Sequence, residues 1–270
     1  MIRPFIKWAG GKTRVLPDLL LHLPKGDCLI EPFVGGASVF LNTDYRRYVL
    51  ADINTDLINC YRVAATDTES LISVAKALFQ HGNNKDEYSA RRRSFNYQRN
   101  TGNATSIELA ALFLYLNRHG YNGMCRYNRQ GDFNIPYGQY KNPYFPEQKI
   151  RQFAEKANDT KAVFIVADFR KTLTSTAINK SSVIYCDPPY LQTSETANFT
   201  QYHTAAFAPD DHRELVVALF HANRETGAPI VISNSDLLPR ARFTRDSSFM
   251  KSAFPARSVQ QLRHEKRPKK

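Results

Sequence analysis

The sequence predicts an α/β fold built on a mostly parallel sheet. Three observations carry this: short apolar runs recur along the 270 residues, helical stretches separate them, and three of the runs close in an aspartate. Strands separated by helices pair in parallel after crossing a sheet face, and such open sheets hold their ligands at the carboxyl ends of the strands.

In chain order, "DCLIEPF" (27–33) is an apolar run ending at a proline. "VGGASVFLN" follows it with a glycine turn and then helical spacing, so strand, tight loop and helix are expected. "YRRYVLADIN" (45–54) is a second strand that delivers Asp52. "AVFIVADF" (162–169) and "SVIYCDPPY" (182–190) deliver Asp168 and Asp187, and "APIVISNSD" (228–236) is a fifth strand preceded by the helical "DDHRELVVALFHANRETG". Residues 56–145 break the alternation. Three helical stretches come first, "DLINCYRVAAT", "ESLISVAKALFQH" and "SIELAALFLYLNRHG". Then comes "YNGMCRYNRQGDFNIPYGQY", rich in Tyr, Asn, Gly and Arg, with "RQGDF" as a hairpin turn. The expected organisation is a discontinuous sheet domain, 1–55 and 146–270, interrupted by a helical and β-hairpin domain, 56–145.

Hydrophobic residues at 42 % and charged residues at 23 % are globular values and exclude disorder. No apolar stretch reaches the roughly 18 residues of a membrane span, and the N-terminus lacks the apolar core of a signal peptide, so a cytosolic protein is expected. Cys28, Cys60, Cys125 and Cys186 lie far apart and read as reduced thiols, with neither a metal site nor a disulfide framework. A net charge of +12 points to a polyanionic partner. Basic residues are in excess from Lys85 to Lys141 and again from Ala256 to Lys270, and aromatic interleaving in the first cluster favours nucleic acid.

Two nucleotide signatures fail. "FIKWAGGKTR" (5–14) holds Gly-Lys-Thr, but Ile6 stands where a phosphate-cradling loop needs its first glycine, and too few residues precede it for a buried strand. "FVGGASVF" lacks the G-x-G-x-x-G of a nicotinamide site.

"DPPY" is the most informative stretch. Asp187 ends a buried strand, Pro188 and Pro189 fix the backbone so that a carbonyl points outward, and an aromatic ring, Tyr190, follows. The amino group of a nucleobase is a poor nucleophile because its lone pair is delocalised into the ring. A carboxylate and a carbonyl accepting its two N–H bonds favour a pyramidal nitrogen with its lone pair free, while the tyrosine stacks on the base. This describes a methyl acceptor being prepared.

With "KWAGGK", "EPFVGGASVF", "ADIN", "FLYLNRHGYNGMCRYN", "GDFNIPYGQYKNPYF" and "YCDPPY" in this order, the sequence resembles the DNA adenine-N6 methyltransferases of the Dam type from about residue 4 to 236. The resemblance implies a Rossmann-like methyltransferase sheet with helices on both faces and an inserted target-recognition domain. It implies S-adenosylmethionine as cofactor, double-stranded DNA as partner, base extrusion, a GATC site, and a monomeric, cytoplasmic, nucleoid-associated enzyme with no obligatory protein partner. Asp187, Pro188, Pro189 and Tyr190 would form the acceptor clamp, with Asp187 also beside the cofactor. Asp52 would accept the ribose hydroxyls. Phe33 and Gly35 would line the adenosine, and Asp168 and Phe169 the cofactor adenine. Trp8 and Lys12 would lie over the cofactor, Lys12 pairing with the methionine carboxylate.

On the DNA side the resemblance places Tyr121 at the vacated gap and Asn122 on the orphaned base. Arg126 would face guanine, for about 1–3 kcal/mol of discrimination. Met124 and Pro136 would touch a thymine methyl, and Lys7 and Tyr140 the outer base pair. Arg92, Asn117, Arg118 and Asn128 would be phosphate contacts, which position without specifying. The plain alternatives are packing for Tyr121 and Tyr140, a surface ion pair for Arg126 and a solvent-facing Lys12.

After "VISNSD" the likeness fades, and the chain ends in "RSVQQLRHEKRPKK" where the family has a further basic loop and a last apolar strand. That strand is expected to be absent. Codons that spell Gln-Gln-Leu-Arg-His-Glu-Lys spell Ser-Asn-Cys-Gly-Thr-Arg-Lys one nucleotide later, so the end reads as a frame-shifted stub, with a DNA-binding basic tail as the competing reading. Two further alternatives stay open: an RNA or protein-amide methyltransferase, and a catalytically idle DNA-binding remnant.

Overall fold

A computed structural model describes residues 1–12, 15–189 and 207–233. Tyr190 and the basic tail lie outside the described residues.

Five strands form one parallel sheet: β1 (Cys28–Glu31), β2 (Arg47–Asp52), β3 (Val163–Val166), β4 (Ser182–Cys186) and β5 (Ile230–Ile232), in the spatial order β3-β2-β1-β4-β5. Ile30 pairs with Val49 on one side and Ile184 on the other. The apolar runs are continuous rather than alternating because both faces are covered, so every residue of β1 and β4 is buried. Successive side chains feed opposite cores. Leu29, Leu50, Val183 and Tyr185 enter one, while Cys28, Ile30, Val49, Ile184 and Cys186 enter the other with Leu215 and Leu219 of α8 (Pro209–Thr226).

The helix expected after the glycine loop does not form. Gly35 (φ +45°) and Ala37 (φ +58°) take left-handed conformations that an α-helix cannot contain, and only a 3₁₀ turn, Phe40–Asn42, follows.

Between β2 and β3 run α2 (Thr55–Thr66), α3 (Thr68–Gln80), α4 (Lys85–Thr101), α5 (Ser106–His119) and α6 (Glu147–Asp159). α2 packs on β2 and β3 and also on α5, joining sheet to insertion. The core is accordingly continuous: Phe5, Leu29 and Leu50 belong to the same buried cluster as Tyr88, Phe95, Phe113 and Phe133. Its centre is aromatic, with Tyr61 stacked on Phe153 at 4.9 Å and Phe153 on Phe164 at 5.5 Å. Rings of this size each contribute about 1.5–3 kcal/mol when fully buried. α5 starts at a capping box, the Thr105 hydroxyl accepting the Glu108 N–H while the Glu108 carboxylate accepts the Thr105 N–H.

The expected hairpin is present in reduced form, as antiparallel bridges Gly120↔Tyr137 and Tyr127↔Phe133 closed at Gly131 (φ +86°). The Asn128 amide oxygen accepts the Asp132 N–H at 2.8 Å, and Tyr127 donates to Asp56 of α2 at 2.6 Å, fastening the hairpin to the sheet side. Among the described residues no helix is long and apolar enough to cross a membrane, and no cluster of three metal-binding side chains occurs.

Candidate active site and DNA-facing surface

The chain runs outward from β1 to β2 and β3, then returns to the other side of β1 as β4. Where a sheet reverses its winding in this way, the crevice at the strand ends is the place for a ligand. Glu31 ends β1 and Asp187 directly follows β4, so two carboxyl groups meet at that crevice. Desolvation raises the pKa of both the buried Glu31 and the half-buried Asp187; Glu31 also feels the Asp187 charge and its pKa lies well above the ordinary carboxylate range. Among the described residues its buried Oε1 has no hydrogen-bond partner. The Lys12 ammonium, 2.6 Å from the Asp187 carboxylate, opposes the effect of burial and favours the ionised form. Lys12 is itself buried and so is not the solvent-facing lysine of the plain alternative. Pro188 is buried and Pro189 exposed.

Asp52, at the end of β2, accepts the Gly35 N–H at 3.1 Å and the Asn54 N–H at 3.0 Å. Burial nevertheless lifts its pKa to about 6. Tyr61 donates to the Gly35 carbonyl at 2.6 Å, so the glycine loop is pinned on both sides. Trp8 closes over this loop: a Cβ on Gly35 would lie 3.0 Å from its indole, and one on Gly36 3.1 Å from its Cβ. The rings of Phe33 and Phe169 stand 5.7 Å apart, with Phe207 against both. Asp168 caps α7 (Phe169–Leu173) through the Arg170 N–H and pairs with the Arg170 guanidinium, which also reaches Asp211 and Glu214.

The residues expected to face DNA separate into two groups. Tyr121 is 52 % exposed on a 3₁₀ turn (Tyr121–Gly123), too open for a packing role, and Asn122 beside it is exposed at φ +53°. Pro136 is exposed, Met124 and Tyr140 half-buried, and the Lys7 ammonium sits 4.3 Å from the centre of the Tyr140 ring. Arg126 donates to the Asn134 side chain at 2.9 Å, and Arg92 to the Ile135 carbonyl at 2.8 Å.

Asn117 and Arg118 require a correction. Both are buried, Asn117 completely, and both spend their donors on main-chain carbonyls: Asn117 on Lys7 and Gly123, Arg118 on Phe5. Residues placed like this cannot reach a phosphate. They are polar residues in the last turn of a helix, and the sequence alone reads such residues as surface.

Sequence reasoning also passed over Glu31, Tyr61 and Phe207. Glu31 carried a usable signal, an acid at the end of a strand directly before proline, as in Asp187-Pro188. Tyr61 and Phe207 carried none, since helical and loop aromatics ordinarily report packing.

A parallel sheet with its ligand crevice at a winding reversal, an acid-Pro-Pro clamp beside a glycine loop, and an inserted basic hairpin define a Rossmann-like transferase that acts on a nucleobase. The family model described as "D12 class N6 adenine-specific DNA methyltransferase" matches residues 8–264, and the chain belongs to this family. It is 48 % identical over 248 residues to a DNA adenine methylase of Serratia marcescens, covering 90 % of this chain and 86 % of that one. It is 49 % identical over 231 residues to the retron Ec67 DNA adenine methylase of Escherichia coli, covering 86 % and 76 %. With the DNA adenine methylase of Escherichia coli strain K12 the identity is 46 % over 237 residues, covering 87 % and 82 %.

Proposed function

We propose that the protein, an adenine-specific DNA methyltransferase, takes its methyl group from S-adenosylmethionine and places it on an extruded adenine within GATC. The observation that supports this best is the meeting of Asp187 and Glu31 at the reversal of the sheet, next to the glycine loop and Asp52.

These residues suit the cofactor. The buried Glu31 Oε1, without a hydrogen-bond partner among the described residues, is an acceptor suited to the amino group of a methionyl moiety. Asp52 offers remaining acceptor capacity to ribose hydroxyls, and Phe33, Phe169 and Phe207 form an apolar wall for a purine. When bound, the cofactor supplies a methyl on a positively charged sulfur, electrophilic without a metal.

The protein's own task is to prepare the acceptor. Ionised Asp187 and the Pro188 carbonyl accept the two N6 hydrogens, leaving the nitrogen lone pair directed at the methyl carbon, and Tyr190 stacks on the base. Lys12 keeps Asp187 in the acceptor-only form. With the cofactor bound, the carbon–sulfur bond would break as the nitrogen takes the methyl, and the extra proton on nitrogen would pass to water.

On the duplex, Tyr121 and Asn122 occupy the space the adenine leaves, Arg126, Met124, Pro136, Lys7 and Tyr140 read bases, and Arg92 and Asn128 hold phosphates. The purified chain with labelled S-adenosylmethionine should modify adenine in GATC duplexes and neither RNA nor protein. Asp187→Ala should retain DNA binding while transfer falls at least about 100-fold. Turnover by that variant at the wild-type rate would remove Asp187 from the clamp. Absence of any transfer by the wild type, with DNA still bound, would favour the idle remnant.

A further inference from the structure

We propose that Asn117 is a positioning residue for base reading: it ties the main chain of Lys7 to that of Gly123 and thereby sets the spacing between a base-reading lysine and the turn that enters the duplex. The inference rests on the reading of Lys7 as a contact to an outer base pair of the site.

Asn117 lies in the last turn of α5 with no exposed surface. Its Oδ1 accepts the Lys7 N–H at 2.9 Å. Its Nδ2 donates to the Lys7 carbonyl at 2.8 Å and to the Gly123 carbonyl at 3.0 Å. One acceptor and two donors are thus used, and the orientation of the amide is determined. Turned over, it would set N–H against N–H and oxygen against two carbonyls. One residue further on, Arg118 forks onto the Phe5 carbonyl, so the segment from Phe5 to Lys7 is held at alternate residues by consecutive residues of one helix turn.

The tie has a consequence for Lys7. Its side chain passes directly over Gly123, where an added Cβ would lie 2.4 Å from the Lys7 Cβ, and ends on the Tyr140 ring. Gly123 at φ +62° completes the turn that exposes Tyr121 and Asn122. Because all three Asn117 bonds go to main chain, the tie fixes where Lys7 and the turn stand and leaves their side chains free to face DNA. An amide that only filled space would have no reason to bond both of the elements that are read against the duplex. A hydrogen-bonded base contact loses its discrimination when displaced by a fraction of its own length, so a loosened tie should blur one base pair and spare the rest.

The test measures kcat/KM of the full chain with S-adenosylmethionine on GATC duplexes in which each base pair is replaced in turn. Lys7→Ala identifies the pair that Lys7 reads. Asn117→Ala should lower discrimination at that same pair by about tenfold and change it by less than about threefold at the other three, while cofactor affinity stays within about twofold. Gly123→Ala, which pushes on Lys7 from the opposite side, should give the same profile and carries the test if Asn117→Ala fails to fold. Wild-type discrimination in both variants, or a uniform loss at all four pairs, would overturn the proposal while the reading of Lys7 stands. A Lys7→Ala variant with an unchanged profile would overturn both.

Discussion

The ribose contact proposed for Asp52 would link cofactor binding to acidity through a single carboxyl group. Two backbone amides donate to it, yet burial outweighs them and its pKa lies near 6. Only the ionised form offers acceptors alone to the ribose hydroxyls, so affinity for S-adenosylmethionine should fall as pH drops through about 6. Calorimetry across pH 5 to 8 checks this, and Asp52→Asn should flatten the dependence while weakening binding at pH 8 by about tenfold. The effect on folding has the opposite sign. The folded chain holds this proton at a higher pH than the unfolded one, so the stability contributed by Asp52 is full below the unfolded value of 3.8 and lost as pH rises through about 6.

Among the elements, the hairpin is fastened to α2 by a buried contact, beside bonds from α4 such as Tyr88 to the Ile135 carbonyl. The Tyr127 hydroxyl donates to Asp56 at 2.6 Å, with Arg99 3.4 Å from the same oxygen, and these two partners counter the upward pull of burial on the Asp56 pKa. Tyr127→Phe keeps the ring packing but leaves a buried carboxylate short of a donor, at a cost of about 1–3 kcal/mol in chemical denaturation. Since the hairpin carries Arg126 and Asn128 whereas α2 begins just beyond Asp52, the variant should lose more affinity for DNA than for the cofactor. Equal losses would mean that the hairpin is held by other contacts. α5 is the second element that organises the site, packing against α2, α3 and α4 and gripping the N-terminal segment with its last turn.

The whole molecule carries a charge of +12, and its association with DNA should be strongly salt-dependent. Plotted as log affinity against log salt, the slope should become less negative by about 0.9 in Arg92→Ala, one phosphate contact fewer, as read by fluorescence anisotropy. An unchanged slope would take Arg92 off the phosphate backbone. At this scale one short segment touches three places: between residues 5 and 12 the chain meets Asn117 at Lys7, the glycine loop at Trp8 and Asp187 at Lys12.

The sequence by itself determined the parallel α/β class, the five strands and the acid-terminated strand ends that mark the crevice. Continuous apolar runs, glycine turns and terminal aspartates are local features that survive without any knowledge of neighbours. The motif order also declared the family. Only the tertiary structure decided which of the polar residues are buried and which stay exposed. Asn117 and Arg118 look like Asn122 and Arg126 in the sequence, but the N-terminal segment lies across the first pair and consumes their donors on its carbonyls. It likewise decided that Glu31 lies near enough to Asp187 to feel its charge, that Lys12 pairs with Asp187, and that the insertion shares its core with the sheet. The physical reason is common to all of these: burial and pairing are set by what another part of the chain brings into contact, more than a hundred residues away in the case of Asn117 and Lys7.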